Sequence, residues 1–431
     1  MNKINITPSK IIISHVYSKD NKGDAALLSV LINDTRKQFK NSSITILTMD
    51  SINKNEEFEG ITVQNSFMFY VMKSFKSRYS ILLYSLYIMN ITLLWAHVYK
   101  LTGLSLPIHR KLKNLCQMYS KTDLVLPVGG GYLRSHKKGI GSLLNILLLV
   151  HPIWLSRILR KPTILYTQSI GPFSNKLEER IVSRTLSKCV KATIVREDTS
   201  MQLLKSIGVN KNAYRSVDSG FAFNAQGIIY HLRKRLGIEK NQLLVGITAR
   251  KWLPHTAQCE YERALSETVK HIVTKHNAAV VFIPQVTAEF HEDDDRVIHK
   301  RICQNLKGVK NVYILEDKVD HYQIKAAYDS LDLLIGTRFH SVIFSLTSYV
   351  PAIAIEYEHK TGGIMHDLGL DKWVVKIEEV NSKILCKKVD ELIVERKAYK
   401  SHLKKIIPDY VELTNNAIKI VQKYYKKFVK N

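Results

Sequence analysis

The chain has 431 residues and carries 64 Lys+Arg against 38 Asp+Glu, a formal net charge of +26. At 45% hydrophobic and 24% charged it is too apolar for a disordered chain and long enough for two or three domains. The charge excess points to an anionic partner: a nucleic acid, a membrane surface or a phosphorylated small molecule.

Five scattered cysteines, Cys116, Cys189, Cys259, Cys303 and Cys386, form no CxxC pair. They argue against a disulfide framework and against a structural zinc site, and no metal is expected. Near the start the apolar run is only Ile11 to Ile13, so no secretory signal is expected. Both readings place the chain in a reducing cytoplasm.

In chain order, short apolar runs predict strands at Lys10–Val16, Ser43–Thr48, Asp123–Val128, Pro162–Thr167 and Ala192–Arg196. A second series follows at Leu243–Thr248, Ala278–Ile283, Val312–Leu315, Leu331–Ile335 and Ala352–Ile355. Continuous apolar runs alternating with longer helical stretches are the pattern of parallel sheets covered on both faces. The expected class is therefore α/β, with two doubly wound, Rossmann-like domains.

A polar, basic stretch at residues 224–242 marks a boundary. It suggests an N-terminal α/β domain over 1–225, with a helical insertion at about 66–118. A C-terminal α/β domain would cover 226–385 and a basic helical tail 386–431. That tail holds 12 Lys+Arg against 5 Asp+Glu and reads as a solvated helix face, with a membrane-surface or bridging role as the alternative.

Two apolar segments stand out. Tyr79 to Tyr99 lacks any full charge and is long enough to cross a bilayer. Ser80, Ser85, Asn90, Thr92 and His97 interrupt it, so it reads as a buried or groove-lining helix. An interfacial helix or a true span are the alternatives. Ile140 to Leu159, with His151 and Pro152, reads as a core helix after a glycine loop.

The distinctive polar residues fall at the carboxyl ends of the predicted strands, where α/β sheets hold ligands. Gly23-Asp24 follows the first strand and opens a helix; Asp24 is a site candidate or a helix cap. Gly129, Gly130 and Gly131 follow the third, as a ligand loop or a tight turn. Gln168 ends the fourth, before a Gly-Pro turn. Arg250 and Gln285 end strands of the second half, and Arg offers a fork suited to phosphate or carboxylate. Arg338 and His340 stand between a strand and a helix start, and Lys360 follows the next strand. Alternatively, His340 is a core histidine and Arg338 an ion-pair partner.

These blocks resemble the polysaccharide pyruvyl transferases. The similarity runs in order through GDAAL at 23–27, GGGYL at 129–133, SIGPF at 169–173, VRED at 195–198 and VDSGFAF at 217–223. It continues through GITAR at 246–250, IPQ at 283–285, GTRFHSVIFSLTSYVPAIAIEYEHK at 336–360 and GGIMHDLGL at 362–370. The resemblance implies two domains in a GT-B-like arrangement with the site in the cleft between them. It implies phosphoenolpyruvate as co-substrate with no further cofactor, and a sugar acceptor, lipid-linked in one version. The product would be a pyruvate ketal, with phosphate released, in a cell-surface or exopolysaccharide precursor.

It also implies that Arg250, Arg338 and Lys360 bind the donor. His340 would act as acid and Asp24 as base, with Gly129, Gly130, Gly131, Gln168 and Gln285 on the acceptor side or in the cleft. Imidazole titrates near working pH, which suits His340 to protonating the donor's methylene carbon. The competing readings are a GT-B glycosyltransferase using a nucleotide sugar, and a non-catalytic protein that binds nucleic acid or an anionic membrane. No nucleic-acid motif or aromatic stacking platform supports nucleic acid as a partner. The basic surplus suggests peripheral contact with the inner face of the plasma membrane.

Overall fold

The computed structural model describes residues 7–50, 60–74, 77–135, 139–225, 227–288 and 293–430. The first six residues, 75–76 in the expected helical insertion and Gln226 in the expected boundary lie outside them. Internal contacts divide the chain into two units. Unit 1 comprises Met1–Lys19, Leu27–Ser219 and Leu413–Asn431; unit 2 comprises Asp20–Ala26 and Gly220–Glu412. The short stretch around Asp24 thus belongs with the second half of the chain, and the last helix is divided between the units.

Unit 1 contains β1 (Lys10–Val16), β2 (Ser43–Thr48), β3 (Thr62–Asn65) and β4 (Leu124–Pro127), all parallel, in the order β3-β2-β1-β4. It also contains β5 (Ile164–Gln168), β6 (Ala192–Val195) and β7 (Ala213–Arg215), parallel in that order. A parallel bridge from Val125 to Thr163 links the two ladders. Alternate residues of β1 serve opposite faces: Ile11 and Ile13 enter one core, Ile12 the other. This is the period-2 geometry of a strand buried on both sides.

The expected helical insertion forms three helices, Phe67–Ser74, Arg78–Thr102 and Arg110–Lys121. The second buries Ile88, Met89, Trp95 and Ala96 in the core under β1 and β4. Ile140–Ile158 is the expected core helix. Both long helices are apolar enough and long enough to cross a membrane by composition.

Unit 2 contains β8 (Leu244–Thr248), β9 (Ala279–Phe282), the two-residue strands β10 (Thr287–Ala288) and β11 (Asp293–Asp294), and β12 (Val312–Ile314). β13 (Leu333–Gly336), β14 (Ala352–Glu356) and β15 (Val374–Lys376) complete it. Six of them form a parallel sheet in the order β12-β9-β8-β13-β14-β15. Within the unit this is the Rossmann order 3-2-1-4-5-6. The order reverses between β8 and β13, which makes that pair the switch point.

The expected α/β class with Rossmann-like sheets is the class observed. Besides the two-residue β10 and β11, the sequence reading missed β3, β7 and β15, whose sequences are TVQN, AYR and VVK. Each of these three is an edge strand of three or four residues, too short to stand out as an apolar run.

The expected basic tail is the helix Ser382–Lys430. It is more than a solvated face. Leu385, Val389, Leu392, Tyr399, Leu403 and Ile407 are buried, and Ala417, Ile418, Val421 and Tyr425 complete a core of unit 1. The basic residues occupy the remaining face, the arrangement of an amphipathic helix.

Candidate active site

The carboxyl ends of β8, β13 and β14 carry Arg250, Arg338, His340 and Lys360. The turn after β13 is pinned to β8: the backbone N–H of Thr337 donates to Thr248 Oγ1 at 3.0 Å, and Ser341 Oγ lies 2.9 Å from the same hydroxyl. The Tyr261 hydroxyl reaches Thr337 Oγ1 at 2.7 Å. These bonds set Arg338 at the N-cap of the helix Phe339–Thr347 and His340 in its first turn.

The 20–26 stretch runs alongside. Lys22 donates its N–H to the Gln285 carbonyl at 3.0 Å, and Thr287 donates to the Asp20 carbonyl at 2.9 Å. A Cβ on Gly23 would sit 2.0 Å from His340 Nδ1. Only glycine lets this backbone pass so close to the imidazole. Asn21 Oδ1 accepts the N–H groups of Gly23 and Asp24 at 3.2 and 3.3 Å. The capping role considered for Asp24 therefore belongs to Asn21. Asp24 instead accepts from Asn21 Nδ2 at 2.8 Å.

Arg338 is buried and committed to carboxylates. Its Nε donates to Asp295 Oδ1 at 2.9 Å, its Nη2 reaches the same oxygen at 2.5 Å, and Asp293 takes the rest of the fork. Asp295 also accepts the N–H groups of Gln285 and Val286, each at 3.0 Å. Burial acts to lower the Arg338 pKa, but Asp295 and Asp293 outweigh it and carry the group well above its ordinary value. The ion-pair alternative raised from sequence is thus observed for this residue.

Arg250 differs. Its guanidinium carbon lies 4.3 Å from the Tyr357 ring centroid and 4.8 Å from that of Trp252. Its Nε is buried and has no acceptor among the described residues. Lys360 Nζ pairs with Glu358 at 2.8 Å and lies 5.7 Å from the Tyr357 ring. Burial would push the Tyr357 phenol up; Lys360, Arg250 and Arg338 prevail and hold it below its usual value. A lowered phenol in a buried setting reports a positive local potential.

Behind Arg250, the neighbouring Ala249 donates its N–H to buried His299 Nε2 at 3.2 Å. Burial lowers the His299 pKa to about 4, keeping it a neutral acceptor. Gln285 is buried and accepts from the Tyr328 hydroxyl at 3.0 Å. Sequence reasoning missed Tyr357, Trp252, Asp293, Asp295 and His299. The aromatic pair had a signal, since Tyr357 stands three residues before Lys360 and Trp252 two after Arg250. The two carboxylates had none, because the 43 and 45 residues separating them from Arg338 hide the pairing.

Unit 2 therefore brings together Asp24, Arg250, Gln285, Arg338, His340 and Lys360. Gly129, Gly130, Gly131 and Gln168 belong to unit 1, at the ends of β4 and β5. Gly131 has φ 157°, and a Cβ there would meet Ser169 Cβ at 3.2 Å. Next to the loop, Tyr132 stacks on His15 with centroids 4.3 Å apart. Burial lowers the His15 pKa to about 4, and its Nε2 lies 2.8 Å from the Leu149 carbonyl oxygen. Gln168 is fully buried and donates to the Pro127 carbonyl at 2.7 Å. Below this surface Arg196 pairs with Asp218 at 2.5 Å and donates to Ser169 Oγ at 2.8 Å, which ties together the VRED, VDSGFAF and SIGPF blocks.

Among the described residues, the one group of three metal-type donors is His271, His276 and Asp390. It includes none of the site residues. Lys275 occupies the second oxygen of Asp390 at 2.8 Å, so the group is an ion-pair tether.

Two parallel sheets of Rossmann type, with a cationic site at one switch point, define an α/β enzyme of GT-B-like fold. Solved structures agree on the fold. The UDP-GlcNAc 2-epimerase from Neisseria meningitidis aligns over 98% of this chain and 100% of its own, with TM-score 0.58 and 12% identity. A glycosyltransferase from Rickettsia africae covers 99% and 100%, with TM-score 0.57 and 12% identity. Anabaena HepE in complex with UDP and glucose covers 96% and 99%, with TM-score 0.57 and 14% identity.

The family model for polysaccharide pyruvyl transferase matches residues 21–359, and the chain belongs to that family. The amylovoran biosynthesis protein AmsJ of Erwinia amylovora is 22% identical over 301 residues, covering 67% of this chain and 70% of its own. The protein is thus an enzyme that acts on a polysaccharide.

Proposed function

We propose that this enzyme transfers the pyruvyl group of phosphoenolpyruvate to two hydroxyls of one sugar in an exopolysaccharide precursor, forming a ketal and releasing phosphate. The observation that carries the reading is Arg250: a guanidinium packed against two aromatic rings that also touch each other, with a buried Nε that has no acceptor among the described residues. Such a donor suits an anionic oxygen supplied by a ligand. Lys360 adds a second positive charge, and the lowered Tyr357 phenol supports a site that favours anions. Phosphoenolpyruvate carries a carboxylate and a phosphate on adjacent positions, which two cations can clamp.

In this reading His340 protonates the methylene carbon, and the electron pair of the C=C bond forms the new C–H bond. The cation at C2 is attacked by the first sugar hydroxyl, whose proton passes to Asp24. The C–O bond to phosphate then breaks, with Arg250 and Lys360 holding the leaving group. The second hydroxyl closes the ketal, and its proton leaves with the phosphate. Arg338 acts at one remove, as the partner of Asp293 and Asp295 that fixes the turn carrying His340. No cofactor enters. The acceptor class follows the family, and a lipid-linked form suits a cytoplasmic enzyme.

The test is phosphate release from phosphoenolpyruvate across a panel of saccharide acceptors. The His340→Gln variant is expected to lose about a thousandfold in kcat. Normal turnover by that variant would remove the acid step. A nucleotide-sugar glycosyltransferase shares the GT-B fold and is the second reading. Thermal stabilisation by a UDP-sugar and not by phosphoenolpyruvate would favour it.

A further inference from the structure

We propose that unit 1 docks on an anionic lipid surface through the outer face of the helix Arg78–Thr102. Tyr79, Leu83, Leu86, Tyr87, Leu94 and Leu101 follow one another at helical spacings of three, four and seven residues, or as neighbours on the same face. All are exposed: Leu83 by 51%, Leu94 by 53% and Leu101 by 81%. Only Asn90 and His97 interrupt the stripe. A contiguous exposed apolar strip of this length marks an interaction surface.

The opposite face rules out a transmembrane pose. Trp95 and Ala96 are fully buried, and Thr92 Oγ1 lies 2.8 Å from Nε2 of buried His151 on the helix Ile140–Ile158. One side is therefore committed to the core of unit 1, and only the other side is left for lipid. That is the geometry of a helix lying in the interface plane.

Charge identifies the occupant. From Gly60 to Leu177 the sequence contains fifteen lysines and arginines and a single acid, Asp123. This span supplies more than half of the net +26, and it contains the stripe. Exposed Lys100, Arg110 and Lys111 flank the helix end and the connection after it. Basic residues beside an apolar strip suit the negative potential of an anionic leaflet. A symmetric contact with a second copy would instead set two such basic spans against each other. The inference goes beyond the proposed chemistry and holds whichever donor unit 2 binds.

The test sediments the full chain with phosphatidylcholine vesicles prepared with and without phosphatidylglycerol. Binding is expected to require phosphatidylglycerol and to weaken as salt is raised. The Leu83→Ser/Leu94→Ser/Leu101→Ser variant is expected to bind about tenfold more weakly, with an unchanged thermal midpoint because the three side chains are exposed. Lys100→Glu/Lys111→Glu is expected to weaken binding to the anionic vesicles while leaving phosphate release with a soluble acceptor unchanged. Three results would overturn the proposal. They are a parent protein that ignores phosphatidylglycerol, a triple variant that binds like the parent, and a dimer in gel filtration that the triple variant disperses.

Discussion

The two Rossmann-like units use the same position in the sheet for opposite chemistry. At the switch of unit 1, between β1 and β4, stand three glycines, a stacked Tyr132–His15 pair and a histidine that burial keeps neutral. Its strong ion pair, Arg196 with Asp218, is sealed beneath the surface. At the switch of unit 2, between β8 and β13, Arg338 and Lys360 are paired with carboxylates, and the Arg250 Nε stands without an acceptor among the described residues. Both units also contain a buried arginine paired with a buried carboxylate, Arg196 with Asp218 and Arg338 with Asp295. The difference teaches that a cationic residue at a strand end is not by itself a ligand contact. What matters is how fully the protein has already neutralised it: Arg338 is enclosed by two carboxylates, Lys360 shares one and the Arg250 Nε has none among the described residues.

The largest expected effect tests that distinction. Arg338→Met would leave Asp295 buried with an uncompensated charge, and Arg196→Met would do the same to Asp218. Each is expected to cost about 4 kcal/mol in urea unfolding. Arg250→Met, which strands no carboxylate, is expected to cost less than about 1 kcal/mol. A large stability loss at Arg250, or none at Arg338, would erase the contrast.

Acid comes next. Ordinary histidine titrates near 6.5, and burial lowers His15 and His299 to about 4 and His151 to about 3. As the pH falls below 6.5, the unfolded chain takes up protons that the native state refuses. Stability is therefore whole above 6.5 and declines until the folded values are reached. At 1.36 kcal/mol per pH unit, the loss is at most about 3 kcal/mol each for His15 and His299 and about 5 kcal/mol for His151. An unfolding free energy unchanged between neutral pH and the range near 4 would show that these imidazoles are not held neutral.

Activity separates the units further. Arg250→Met is expected to lower kcat/KM for phosphoenolpyruvate about a hundredfold, equivalent to about 2.7 kcal/mol, with an unmoved thermal midpoint. If Gln168→Ala in unit 1 raised the KM for phosphoenolpyruvate as much, the donor would not belong to unit 2 alone. The smallest effect is expected at the Asp390 tether. Burial raises that carboxyl, and hydrogen bonds from Lys275, His271 and His276 overcome it and hold it low. The group is partly exposed, so Asp390→Ala is expected to cost under about 1 kcal/mol in thermal unfolding.

Much of this was legible beforehand. The ten apolar runs became strands of the two parallel sheets, because a strand buried on both faces has to be apolar along its length. The edge strands escaped, since TVQN at 62–65 has one face to protect and little length to show it. The candidate cations were legible for the same reason as the strands, since each follows directly after one. Their states were not. Arg250 and Arg338 read alike as arginines at strand ends, yet one is bound by Asp293 and Asp295 and the other stacks on Trp252 and Tyr357.

By itself the sequence determined what depends on neighbours along the chain: the α/β class, the position of the candidate residues at strand ends, and the basic surplus. Only the tertiary structure decided what depends on partners far apart in sequence. It brought Gly23 against His340, joined Arg338 to Asp295 and left the buried Arg250 Nε with no acceptor among the described residues. It also turned the uncharged 79–99 run into a helix with one face in the core and the other bare. Local periodicity specifies which residues share a face, whereas burial of that face and neutralisation of a charge are settled by whichever segment packs against it.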